Sequence, residues 1–198
     1  MAINLAENLL KNSNIHVVAR LDLLAALLTY HSLVSFDHNL SLKYATEAVN
    51  IAINSKNEIT PDSLNLAMNN MAYALIENKK LEEASHWINQ LRTDLSSAEY
   101  IYATKGLFSL QSGNFEKAKE LYLKAISITD SSRKDAFRMK MNYELGRYSF
   151  ENSDYSHAKI YLKKVVQSKQ AKDIWSLNEL QFKASEFFGT IQRISFKA

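Results

Sequence analysis

The chain has 198 residues, a formal net charge of +3, 46% apolar residues, one proline, four glycines and no cysteine. That length suits one domain or one repeat array, so few turn-formers argue against an all-β fold, and the lack of cysteine excludes a disulfide framework, a zinc–thiolate site and a thiol nucleophile. The charge is too small to imply nucleic acid, no apolar run reaches the ~18 residues of a membrane span, and residues 1–10 lack the basic and apolar regions of a secretion signal, so a cytoplasmic protein is expected.

Residues 1–13 place Ala2, Ala6, Leu9 and Leu10 on one side of a single helix, read as half of a hairpin unit. Four full units follow, at 15–57, 60–94, 97–130 and 132–170. Each carries small or apolar markers at a common spacing: Thr29, Ser41 and Ala48; Ala72, Ala84 and Leu91; Gly106, Ala118 and Ala125; Gly146, Ala158 and Val165. The second marker follows the first by 12 residues and the third lies 7 further on. Two antiparallel helices approach closely only where small side chains meet, so Gly106 with Ala118 and Gly146 with Ala158 are expected at crossings, with Phe115, Tyr122 and Tyr155 filling the space beside them. Asp37, Asn114 and Asp154 fall where second helices begin and suit N-caps, whereas the second unit has Lys80 there. Thr60-Pro61-Asp62 supplies a cap, a proline at the first helical position and an acid in the first turn. Residues 173–196, with Leu180, Ala184 and Phe187, read as a first helix without its second.

The stretch "AEYIYATKGLFSLQSGNFEKAKELYLKAI" resembles a tetratricopeptide repeat, through Tyr102, Gly106, Gly113, Phe115, Ala118, Tyr122 and Ala125. "MNYELGRYSFENSDYSHAKIYLKKVV" resembles it through Leu145, Gly146, Tyr155, Ala158 and Val165, and the second unit through Met71, Ala72, Leu75, Leu81 and Ala84. The first unit is a weaker copy, and the intervals of 43, 34 and 40 between second-helix markers are irregular, as in the regulatory bacterial versions of the family. The resemblance implies an all-α, right-handed superhelix of stacked antiparallel hairpins, about ten helices in one array. It implies a non-catalytic scaffold, part of a larger protein, that binds a protein or extended peptide on its concave side. First helices line that side, which makes Tyr30, Asn69, Asn70, Tyr73, Tyr100, Thr104, Tyr143, Glu144 and Arg147 candidate contacts. Amides can pair with a peptide backbone, tyrosines offer rigid area with a polar tip, and an arginine can grip a carboxylate with two prongs. The family's chaperone-binding carboxylate clamp is not expected: of Ala26, Tyr30, Asn70, Tyr100 and Thr104 in its places, only Asn70 fits. The alternative reading is a ligand- or peptide-sensing module of a bacterial transcription regulator, or an interaction domain attached to an enzyme or ATPase.

Catalytic chemistry finds no foothold. His16, His31, His38, His86 and His157 form no metal-binding spacing. Glu82, Glu83 and Glu116 begin second helices, where acids complement the helix dipole. Four scattered glycines build no phosphate-cradling loop, and neither a cofactor nor a metal is expected. Residues 133–198 hold 13 basic and 7 acidic side chains against 11 and 14 before them, but a solvated helix face is the simpler account and nucleic acid is not favoured. On the terminal helix, Trp175, Phe187, Phe188, Ile191 and Ile194 form a candidate interface, with a homodimer as its expected use.

Overall fold

The computed structural model describes residues 2–12, 14–169 and 175–195, with backbone only at Ala2, Trp175, Ser176 and Ser195. The described residues are all-α: α1 (Ala2–Leu10), α2 (Val17–Leu33), α3 (His38–Asn54), α4 (Pro61–Glu77), α5 (Leu81–Ile88), α6 (Ala98–Gln111), α7 (Phe115–Ile128), α8 (Lys134–Glu151), α9 (Tyr155–Val166) and α10 (Trp175–Ser195). Short connections make neighbours in sequence neighbours in space. The chain divides into two compact units, residues 1–104 and 105–198.

In the first unit α3 packs between α2 and α4, α4 packs on α5, and the first helices α2 and α4 also touch. Helix starts follow from local chemistry. The side chains of Asp37 and Thr60 accept hydrogen bonds from the backbone N–H groups of Leu40 and Ser63, and Pro61 opens α4 where a missing N–H costs nothing. Leu24 and Leu27 of α2, Ala45 and Ala52 of α3, and Ala72 and Ile76 of α4 are fully buried; each such leucine contributes about 2 kcal/mol of burial. α1 is tethered rather than deeply packed. The Tyr44 hydroxyl donates to Glu7 Oε1 at 2.8 Å, and Arg20 Nη2 donates to the Leu10 carbonyl at the end of α1 at 2.9 Å.

In the second unit α8 packs on α7 and α9, and α10 packs on both α8 and α9. Asn114 and Asp154 cap α7 and α9, accepting from the N–H groups of Lys117 and His157. Lys80 makes no side-chain cap for α5, which ends at Ile88 after two turns, so Leu91 is buried beyond the helix rather than within it.

The hairpin turns repeat at atomic detail. One residue per hairpin adopts a left-handed backbone: Phe36 (φ 52°), Lys79 (59°), Gly113 (84°) and Ser153 (62°). Each immediately precedes the first residue that caps or opens the second helix. In the last three hairpins that next residue sends its N–H back to a carbonyl five residues earlier: Lys80 to Leu75, Asn114 to Ser109, Asp154 to Ser149. This wrap-up satisfies carbonyls that the helix end leaves open. In the first hairpin Ser35 already makes the equivalent bond, to Tyr30, two residues ahead of Asp37. Its turn is longer, and α2 is out of register with the other first helices. Thr29 therefore lies exposed and is not the crossing residue; Ser32 takes that role, its Oγ 2.6 Å from Ser41 Oγ in a buried pair.

The crossing at Gly106 has the expected partners, and the one at Gly146 has a different nearest neighbour. A Cβ at Gly106 would stand 3.3 Å from the Ala118 carbonyl and from the Tyr122 ring. A Cβ at Gly146 would meet Leu162 Cγ at 2.7 Å, so Leu162, one turn beyond Ala158, closes that crossing. Phe115 and Tyr155 serve other contacts. Phe115 sits among Tyr148, His157 and Tyr161, and Tyr155 lies against Phe150 at 5.8 Å.

Candidate first-helix binding surface

In the first unit, α4 sorts its polar residues onto two strips. Asn65, Asn69 and Tyr73 recur every four residues and are all buried. Asn69 is 5% exposed, and its Oδ1 is a buried atom with no hydrogen-bond partner. Asn70 lies beside that strip with Ser63 and Leu66 and is half-buried, so solvent reaches it. Tyr30 of α2 is half-buried and meets His31 edge to face at 5.0 Å. On α6, Tyr100 is 40% exposed while Thr104 is buried. Tyr30, Asn70 and Tyr100 are thus the candidates of this unit that present surface; Asn69, Tyr73 and Thr104 lie beneath.

In the second unit, α8 brings its three candidates together. Arg147 Nη2 lies 2.8 Å from Glu144 Oε2, with the Glu144 side chain 2% and the Arg147 side chain 12% exposed. The guanidinium also stands 5.9 Å from the centre of the Tyr143 ring. Removing Arg147 would leave the buried Glu144 carboxylate without this partner, a change that costs about 3–5 kcal/mol in buried pairs. Arg147, expected to grip a partner's carboxylate, instead meets two carboxylates of its own helix, Glu144 through Nη2 at 2.8 Å and Glu151 near Nε at 3.9 Å. Spacing could not reveal this directly, although Glu144 and Arg147 stand three apart on one helix face, a separation at which side chains meet.

The basic stretch at the start of α8 is largely neutralised by its own neighbours. Arg133 lies 2.6 Å from Asp130, and Arg138 lies 2.7 Å from Asp135. The Ser132 hydroxyl, then Arg133, pull the Asp130 carboxyl down to about 2.

The terminal helix spends most of its apolar residues inward. Ile191 is buried, Phe187 stands 4.9 Å from Phe150 of α8, and Phe188 is half-buried. Ile194 is exposed, and the Trp175 side chain lies outside the described residues. Among the described side chains of α10 the most exposed aromatic is Phe182, on the opposite side from Ile191. Gln181 explains how α10 is held: its Nε2 donates to the carbonyls of Val165, Val166 and Ser168 at the end of α9.

A cleft of about 590 Å³ between the start of α2 and the end of α3 falls on none of the predicted contacts. It is lined by Arg20, Glu47, Asn50, Asn54 and Glu58 among others, with Arg20 3.8 Å from Glu47. Among the described residues no group of three or more histidines or carboxylates is placed to hold a metal ion, and no helix is long and apolar enough to cross a membrane.

A serial packing of helical hairpins with the same left-handed turn defines a helical repeat protein. The family model described as Tetratricopeptide repeat matches residues 100–131, the hairpin with glycine at both its crossing and its turn, so that segment is similar to one repeat of that family. Repeats of this family generally mediate protein binding. No curated protein and no solved structure matched the chain.

Proposed function

We propose that the chain is a non-catalytic module that binds a protein or extended peptide through its first helices, with Tyr30, Asn70 and Tyr100 making contact. Tyr100 carries this reading. It is a 40% exposed aromatic on a first helix, inside the segment that the family model matches. Tyrosine offers a partner rigid area and a polar tip at little entropic cost. Asn70 adds an amide that can both donate to and accept from a peptide backbone. Asn69, Tyr73 and Thr104 support the surface from below, and Tyr143, Glu144 and Arg147 pack against one another on α8.

The test places a photo-crosslinking amino acid at position 100 and, as a control, at the exposed Leu123 of α7. A discrete adduct is expected from position 100 and not from 123. It should disappear when Tyr30→Ala and Asn70→Ala are added, provided the melting profile is unchanged. Equal labelling from both positions, or an adduct indifferent to Tyr30 and Asn70, removes the reading.

A further inference from the structure

We propose that the outward face of α9 docks an acidic segment of a partner protein, with Ile160 at the centre of the contact. This surface belongs to a second helix and does not depend on the first-helix reading.

The argument begins with composition. Residues 155–172 contain five lysines and no carboxylate, and α9 is the one described helix without an aspartate or glutamate. Its buried side is complete: Ala158, Tyr161, Leu162 and Val165 face the core. Lys159, Ile160, Lys163 and Lys164 are left exposed on the other side. Ile160 is 53% exposed, and Lys163 and Lys164 follow it by three and four residues, the separations at which helical side chains adjoin.

Among the described residues none of these lysines has a carboxylate partner, unlike Arg133 and Arg138 at the start of α8 or Lys117, which lies 3.0 Å from Glu120 on α7. Lys164 instead rests 5.4 Å from the centre of the Tyr161 ring. The helix dipole accounts for cations in the last turn, Lys163 and Lys164, but not for Lys159 in the second turn nor for an exposed isoleucine between them. An apolar centre with a charged rim is the anatomy of a protein contact. The uniform positive charge selects a partner segment that is acidic and carries an apolar side chain opposite Ile160. A phosphate backbone would use the lysines and leave Ile160 idle.

The test uses the full chain and a fluorescein-labelled peptide of glutamates around a single leucine, read by fluorescence anisotropy. The wild type is expected to bind it, more weakly as added salt shortens the range of the charges. Lys159→Glu/Lys163→Glu/Lys164→Glu should weaken binding at least about ten-fold, because attraction becomes repulsion. The corresponding triple glutamine variant should fall between, and guards against misfolding of the charge-reversed chain. Ile160→Ser should weaken binding several-fold at unchanged salt dependence. Absence of peptide binding by the wild type overturns the proposal, as does binding indifferent to Ile160→Ser. Tighter binding of labelled oligothymidylate, also indifferent to Ile160→Ser, makes the face a phosphate-binding stripe and likewise overturns it.

Discussion

Asn65 and Arg92 hold each other by a reciprocal pair of hydrogen bonds: Asn65 Nδ2 donates to the Arg92 carbonyl at 3.0 Å, and Asn65 Oδ1 accepts from the Arg92 N–H at 3.0 Å. The side-chain amide thus does for the segment after α5 what another backbone strand would do. Asn65 is buried, so Asn65→Ala leaves two backbone groups without partners as well as losing both bonds. The expected loss in urea unfolding is about 2–3 kcal/mol. Asn65→Asp, which turns an anionic oxygen toward the Arg92 carbonyl in a buried site, should lose at least as much at neutral pH. A loss within error of zero for the alanine variant means that the segment is not held in this way.

Asp62, one turn earlier on α4, ties the same segment: it accepts from Ser97 Oγ and Ser96 Oγ, both at 2.7 Å, and from Ser97 N at 3.1 Å. Burial pushes its carboxyl up, but these three bonds outweigh that and hold it below the ordinary 3.8. A carboxyl depressed by folding stabilises above its unfolded pKa, and the contribution disappears as pH falls through the folded value. The stability difference between wild type and Asp62→Asn should therefore be constant at neutral pH and close as pH drops below 3.8. Parallel curves down to the acid transition contradict the assignment.

The hairpin turns yield a paired prediction. Ser153 holds φ at 62°, where a side chain costs about 1–2 kcal/mol that glycine does not. Ser153→Gly should stabilise by about 1 kcal/mol, and Gly113→Ala, at φ 84°, should destabilise by about 1 kcal/mol. Thermal melts of the two variants check both signs together. Equal effects of one sign mean that the backbone angle is not what governs these positions.

The third hairpin explains what was legible in the amino-acid sequence. Gly113 and Asn114 announce its turn, and the same turn in the second and fourth hairpins is visible only by register, because Lys79 and Ser153 adopt a conformation that their side chains disfavour. The caps at Asp37, Asn114 and Asp154 depend on local geometry alone and were readable. Thr29 keeps the marker spacing without lying at the crossing, because a spacing counts residues and does not see that the first turn is longer. Asn69, Thr104 and Glu144 sit on first helices as expected, yet whether a polar residue is buried depends on the neighbouring helix. The ties of Asn65 to Arg92 and of Tyr44 to Glu7 span 27 and 37 residues, separations at which no local pattern signals a partner.

Gly146 and Gly189 should respond differently to the same substitution. In a helix interior Gly→Ala alone is worth about 1 kcal/mol of stabilisation. At Gly189 nothing stands within 4 Å of the added Cβ, so Gly189→Ala should realise that gain. At Gly146 the added carbon meets Leu162 Cγ at 2.7 Å, Cδ2 at 2.8 Å and the Leu162 backbone N at 3.1 Å, and Leu162 is fully buried. Such overpacking costs about 1–3 kcal/mol. Gly146→Ala should therefore be neutral to destabilising, and the difference between the two variants in urea unfolding should exceed about 1 kcal/mol. A gain at both positions means that α8 and α9 shift apart freely.

Tyr44 supplies the alkaline counterpart of Asp62. Burial first, then its hydrogen bond to Glu7, then the charges of Glu7 and Glu47, push its phenol up to about 12 from an ordinary 10.0. A group whose folded pKa is raised stabilises below its unfolded pKa and loses that contribution as pH rises through the folded one. At neutral pH, Tyr44→Phe should cost about 1.5–3 kcal/mol, the range for a hydrogen bond to a charged acceptor. Between pH 10.0 and about 12 the wild type should lose this advantage and converge on the variant. In the ultraviolet phenolate band the wild type should show a late-titrating group that Tyr44→Phe lacks. If the variant instead removes a group titrating at the ordinary value, the hydroxyl is not donating to Glu7 and α1 is tethered by Arg20 alone.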